Sequence, residues 1–331
     1  MSDIPTGEVI ERAVRLAGRA PSLHNSQPWR WEFDGTTLRL FSVPARLLPA
    51  TDTAGRQMLL SCGVALGHLR AALAADGWRI RVAYFPNPTR RDHLANVTFE
   101  PAAVISDADR DRAQAIEHRH TDRLPFETPP GWAEFDTVLR TVVDPADATL
   151  TVLPDSTRPE LARASRLTAT LRRYDSSYQA ELHWWTGHSF VSAGIPAAAL
   201  ITAEERERVD IGRSLPTVVG SPRRPELGVD RSRILVLSTD RDTPEGLVRC
   251  GVALSNVLLE STAAGYATCP LTHITEVPRS RAIVRTLTGL DAQPQVMVRI
   301  GAAGPGGENP APTPRLPLAE ILRTVPPPAR W

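Results

Sequence analysis

No lysine occurs in the 331-residue sequence, so all 38 basic residues are arginine. A Schiff-base lysine, a pyridoxal-phosphate enzyme, a Walker A phosphate loop and a protein kinase are excluded together, because each needs the primary amine. Any phosphate must be held by arginine, hydroxyls and backbone amides, and the planar guanidinium fork suits that work. Cysteine is scarce as well: three residues, with no CxxC pair. A disulfide framework is not expected, and a reducing compartment is. The net charge is +1, which gives no electrostatic case for nucleic acid or an anionic membrane as partner. No apolar run approaches the ~20 residues of a membrane span. Residues 1–11 lack a basic segment followed by an apolar one, so no secretory leader is expected and the location is expected to be cytoplasmic. No metal site is expected. There is no HExxH, and the nearest histidine pairs, His118/His120 and His183/His188, fall cleanly on no helix face. Neither GxSxG nor GxGxxG stands at a strand-to-helix junction, which speaks against a hydrolase triad and a dinucleotide-binding Rossmann domain.

Hydrophobic residues make up 42%, enough for one large domain or two ordinary ones. Apolar spacing predicts helices over 8–19, 54–76, 107–118, 132–142, 159–185, 243–264 and 318–322. Alternation predicts strands over 29–33, 38–40, 79–85, 94–100, 149–153, 234–238 and 296–300. Asp34-Gly35 marks a hairpin turn, and Thr51 or Asp52 is expected to cap the second helix. Residues 187–200 and 267–273 are expected to be irregular.

Between the first helix and the first strand lies Ala20-Pro21-Ser22-Leu23-His24-Asn25-Ser26-Gln27-Pro28-Trp29. Proline closes the loop at both ends, and planar or small hydrogen-bonding groups fill it. Such a loop can hold the polar edge of a flat ligand, or it can be an ordinary turn whose side chains cap the backbone. Arg119, Thr121 and Arg123 bracket a hydroxyl with two cations after a helix, which fits a phosphate clamp or a solvated helix end. Ala267 to His273 can aim backbone amides at a ligand or simply connect two elements. Arg315, stiffened by Pro312, Pro314 and Pro317, can close over a phosphate.

Cys62-Gly63-Val64-Ala65-Leu66 recurs as Cys250-Gly251-Val252-Ala253-Leu254, 188 positions later (250 − 62). Each copy lies in a long predicted helix after a similar Asp-Thr start. Duplication is the expected cause, giving two copies of one α+β unit packed like a fused homodimer. The cysteines themselves read as small buried residues at a helix contact.

Taken together these motifs resemble the nitroreductase superfamily, and within it the fused, double-length Acg-type branch. The loop matches its Pro-Ser-x-x-Asn-x-Gln-Pro-Trp pattern through Pro21, Ser22, Asn25, Gln27, Pro28 and Trp29. Arg119, Thr121 and Arg123 match its Arg-x-Ser/Thr-x-Lys/Arg motif, and Arg315 stands where its C-terminal arginine is expected. The resemblance implies a nitroreductase-like α+β fold, with two tandem copies mimicking the intertwined homodimer. It implies FMN held across the halves by Ser22, Asn25, Gln27, Arg119, Thr121, Arg123 and Arg315. Pro270, Leu271 and Thr272 would present backbone near flavin N5 and O4. With lysine absent, the cation beside flavin N1 and O2 must be arginine, Arg123 by position.

Residues 1–105 are expected to form the first half, with the flavin-ring loop. Residues 106–331 form the second, with the clamp, a lid-like insertion at about 173–200 and a C-terminal tail. Each half lacks what the other has, so one FMN per chain and a monomeric pseudo-dimer are expected. The implied activity is NAD(P)H-dependent reduction of a small-molecule electron acceptor by ping-pong hydride transfer, with no side chain named as acid or base. The aromatics of the insertion, Trp184, Trp185 and Phe190 among them, suggest an alternative. Lying over the ring, they would make a low-turnover protein that stores FMN.

Overall fold

The computed structural model describes residues 4–187, 192–304 and 311–326. Thr6 starts α1 (Gly7–Ala17) by accepting the Val9 amide, and Ile10, Ala13, Val14 and Ala17 form its buried stripe. After the polar loop comes a hairpin, β1 (Trp29–Phe33) and β2 (Leu38–Ser42), its turn held by the Asp34 carboxylate accepting the amides of Thr36 and Thr37. Helix α2 (Arg56–Ala75) follows a left-handed Gly55. Asp52 does cap it, from a distance: its two carboxylate oxygens accept the amides of Gln57 and Met58 at 3.1 and 2.8 Å. Asp52→Ala is expected to cost about 1–2 kcal/mol, read as a fall in thermal stability with the fold retained.

Strands β3 (Trp78–Tyr84) and β4 (His93–Pro101) complete the first antiparallel set. A Ser106/Asp109 capping box opens α3 (Asp107–His118). Then follow α4 (Trp132–Val142), β5 (Thr149–Leu153), α5 (Arg158–Arg173) and α6 (Ser176–Gly187). The single helix expected over 159–185 is these last two. The chain breaks at Tyr174, and Asp175 starts the next helix by accepting the Tyr178 amide. Next come α7 (Ala203–Glu207), β6 (Arg233–Thr239), α8 (Pro244–Ala263), β7 (Ala267–Leu271) and α9 (His273–Glu276). The chain ends in α10 (Pro278–Thr288), β8 (Gln293–Gly301), α11 (Leu318–Ile321) and β9 (Leu322–Thr324). The stretch 267–273, expected to be irregular, is thus largely an edge strand. Pro270 is tolerated in it because an edge position can spare an amide.

Two sheets result, ordered β3-β4-β2-β1-β9 and β5-β6-β8-β7. The short tail strand β9 crosses to the first sheet and pairs parallel to β1, Trp31 against Leu322. One continuous core joins both sheets through α2 and α8, from Trp31, Leu38 and Leu94 to Leu235, Leu237 and Val296. Helix α2 is long and apolar enough to cross a membrane by length and composition, against the sequence expectation, but it is mostly buried inside the protein. It is a core helix.

The repeated pentapeptide forms the α2–α8 crossing. A Cβ on Gly63 would overlap the Val248 carbonyl oxygen, and one on Gly251 would overlap that of Leu60. The contact is reciprocal: Leu60 and Val248 hold equivalent places in the repeat, three residues before the two glycines. That is the self-complementary geometry of a two-fold interface, here within one chain. Cys62 and Cys250 are fully buried beside it, and burial pushes the Cys250 thiol up to about 12.

Candidate functional site

The Pro21–Trp29 loop is built by its own side chains. Ser22 Oγ accepts the Gln27 amide at 2.9 Å, and His24, Asn25 and Gln27 take left-handed backbone angles. Asn25 Nδ2 donates to the carbonyls of Gly194 and Pro314, each at 3.1 Å. Gln27 Nε2 donates to Ser192 O at 2.7 Å, and Gln27 Oε1 accepts the Leu316 amide at 2.9 Å. The loop therefore ties down the chain after α6 and the proline-rich tail, sequences far from it and from each other.

Above it opens a cavity of about 300 Å³. Arg119, Thr121 and Arg123 line it together, while Asp122 is buried on the other side. Extended backbone explains the selection, since residues i, i+2 and i+4 share a face. Asp122 fixes that register. Its amide donates to Thr268 O at 2.9 Å, and its carboxylate accepts Arg224 Nη2 at 2.7 Å.

The electrostatics of the cavity are one-sided. Arg119 Nη2 and Arg315 Nη2 both donate to the Arg19 carbonyl, at 3.4 and 3.0 Å. Arg119 is buried, and none of these three arginines has a carboxylate partner among the described residues. Arg119 Nε and Nη1, Arg315 Nε and Arg19 Nε are buried without a hydrogen-bond acceptor. Burial, then the Arg19 charge, lowers the Arg119 guanidinium to about 10. Burial, then the charges of Arg119 and Arg19, lowers that of Arg315 to about 9. Buried cations without a counter-charge are costly, and an anion would relieve that cost.

Two arginines placed elsewhere around the cavity, Arg213 and Arg299, are paired with carboxylates, whereas Arg123 has only a backbone acceptor. Arg213 meets the buried Glu276, which also accepts Gln57 Nε2 at 2.9 Å. Arg299 donates to Asp230 at 2.9 Å and lies over the Phe126 ring, with Arg158 on the other Asp230 oxygen. Arg123 Nη1 donates to Ala199 O at 3.2 Å. Ser165 Oγ contacts His273 Nε2 at 2.9 Å and donates to Gly212 O, which holds the turn carrying Arg213.

A family model for the Nitroreductase family matches residues 116–302, more than half of the chain. "Putative NAD(P)H nitroreductase acg" of Mycobacterium tuberculosis is 51% identical over 317 residues, covering 96% of both chains. The chain belongs to the nitroreductase family. A further relative, "Probable NAD(P)H nitroreductase PigM" of a Serratia species, is 24% identical over 96% of this chain and 94% of its own. Among solved structures, the FMN-dependent nitroreductase NfnB of Mycobacterium smegmatis in complex with NADPH aligns at 15% identity. That alignment has a TM-score of 0.40 and covers 66% of this chain and 99% of the other.

Within this nitroreductase, the cavity gathers Ser22, Asn25, Arg119, Thr121, Arg123, Pro270, Leu271, Thr272 and Arg315 from four separate stretches. Gln27 is not among its lining residues. It is 1% exposed, and all its described bonds hold backbone, so its place is structural. The amides expected from 270–272 are reduced by the strand. Pro270 has no N–H. The Thr268 carbonyl faces outward to Asp122, so by the pleat Leu271 faces inward to its partner Met297, leaving Thr272 past the ladder. Trp184 and Trp185 do not line the cavity. They stack edge to face at 4.8 Å on α6, and Trp185 is buried. Phe190 lies outside the described residues. The chain covering the cavity, from Gly194 through Leu215, overlaps the end of the expected insertion at about 173–200 and continues past it. Arg213, Arg299 and Ser165 carried no motif, and their place follows from tertiary packing alone.

Proposed function

We propose that this nitroreductase binds one FMN per chain in the cavity and reduces a small electron acceptor at the expense of NAD(P)H. The observation carrying this reading is the cluster of Arg119 and Arg315 on the Arg19 carbonyl, without a carboxylate among the described residues, in a cavity also lined by planar amide and aliphatic groups. Arg119, Thr121 and Arg315 would hold the phosphate. Ser22 and Asn25 would border the ring, where the buried Asn25 Oδ1 lacks a partner, and Thr272 would offer its backbone. Arg123 would place a permanent charge beside the pyrimidine edge, favouring negative charge there. FMN held there by these residues would supply hydride transfer from NAD(P)H to the acceptor in a ping-pong cycle. No side-chain acid or base is assigned.

On this reading residues 1–105 supply the loop, residues 106–331 supply the clamp and the terminal arginine, and the chain works as a monomeric pseudo-dimer. Titrating FMN into the ligand-free protein should saturate at one per chain, with a monomer on a sizing column. Two flavins per chain would overturn the split-site reading. A second reading, FMN storage with little turnover, is favoured by the cover itself. Asn25 and Gln27 tie Gly194 and Ser192 across the loop, and Arg123 holds Ala199. Steady-state NADPH oxidation with para-benzoquinone or nitrobenzene separates the two. Rapid turnover rules out storage as the main role, and tightly bound FMN without turnover counts against the enzyme.

A further inference from the structure

His24, Asn25 and Gln27 hold φ angles of 49°, 59° and 50°. Glycine enters that region freely, and other residues stay there when their surroundings over-determine them. Asn25 and Gln27 have their reason in the backbone groups they bind. His24 has no such reason among the described residues. It is 5% exposed, it lines the cavity, and neither ring nitrogen has a hydrogen-bond partner. A buried imidazole in that state has lost water at both nitrogens and gained nothing in exchange. Burial first, then the charges of Arg213 and Arg123, keeps its pKa well below the ordinary value. The ring is therefore neutral at physiological pH, with one N–H donor and one lone pair. It lines the same cavity as Arg123 and Arg213, the two cations whose charges act on it.

Resting on the flavin reading, we propose that His24 is a ligand-contacting residue of the site, its imidazole N–H donating to an sp² oxygen on a planar ring. Two molecules carry that chemistry: the flavin, through its ring carbonyls, and the acceptor, through a quinone or nitro oxygen. Either restores the bond the buried ring lacks and accounts for a histidine where the backbone favours glycine.

The test compares His24→Gly, which suits the backbone and removes the group, with His24→Asn, which tolerates the backbone and keeps a donor. If the flavin is the partner, His24→Gly should weaken FMN binding to the ligand-free protein by about fivefold to tenfold, with His24→Asn closer to wild type. If the acceptor is the partner, FMN affinity should hold while KM for para-benzoquinone rises by a similar factor. Unchanged FMN affinity and unchanged KM in His24→Gly would overturn the proposal. In the wild-type protein, the nitrogen NMR resonances of the His24 ring should shift on adding FMN or para-benzoquinone. Unmoved resonances would overturn it even if both variants failed to fold. A wild-type protein that takes up no FMN would remove the flavin reading itself, a separate result.

Discussion

Replacing Arg119 and Arg315 together by alanine is expected to release FMN. Each hydrogen bond to a charged group is worth roughly 1.5–3 kcal/mol, so the pair amounts to about two to four orders of magnitude in affinity. Equilibrium titration of the ligand-free double variant measures it, and stoichiometric FMN retained through purification would refute the assignment. The same cluster makes a pH-linked prediction. Both guanidiniums titrate low in the folded protein, at about 10 and about 9. The unfolded chain therefore binds more protons between pH 9 and the ordinary arginine range, and in that window stability rises with pH. Below pH 9 the ligand-free protein carries the full cost of two charged, unpaired groups. An anion removes that cost, so inorganic phosphate should raise Tm more near neutral pH than above pH ~10. The double variant should lose the response.

The second large effect lies at the α2–α8 crossing. Gly63→Ala or Gly251→Ala places a methyl group inside a carbonyl of the facing helix, and backbone cannot rotate away as a side chain can. The helices must separate, opening the core shared by both sheets. A loss of about 3 kcal/mol or more is expected for each, at the upper end of overpacking effects. The double variant should lose less than the sum, because the first methyl already makes room for the second. Strict additivity in chemical denaturation would show that the two contacts are independent, against the reciprocal geometry. Gly67→Ala should be costly too, because its Cβ would overlap Ser255 Cβ, which is fixed to its backbone and cannot rotate away.

Local chemistry in the sequence determined a great deal. The absence of lysine confined anion binding to arginine, and the cavity is lined by arginines. Alternation and capping placed helices such as Asp107–His118 and Trp132–Val142 and the strand Thr149–Leu153 at their observed bounds, because each carries its own start and stop. The repeated pentapeptide gave the axis of the molecule, since a small residue at a helix crossing is a local necessity. The loop motif, the clamp and Arg315 could each be read singly, with a bland meaning open for each.

Their meeting was decided by tertiary structure. Nothing local to residues 19, 119 and 315 says that one backbone carbonyl will gather two guanidiniums and leave them without a counter-charge. The strand β9 and its parallel pairing to β1 come from a three-residue segment too short to show a period. The edge strand over 267–271 was hidden by its proline, which is permitted there only because the neighbouring position is vacant of a partner strand. The cover was placed in part, its aromatics wrongly, for a related reason. Trp184 and Trp185 on α6 drew attention, yet they stack on each other and do not line the cavity. The chain over the cavity is held by Asn25, Gln27 and Arg123 through backbone carbonyls, which every sequence offers equally. Side-chain identity sets what a residue can bind, and the fold sets whether a partner is within reach. In His24 the two part company, a capable group carried by the fold to a place where it has no partner among the described residues.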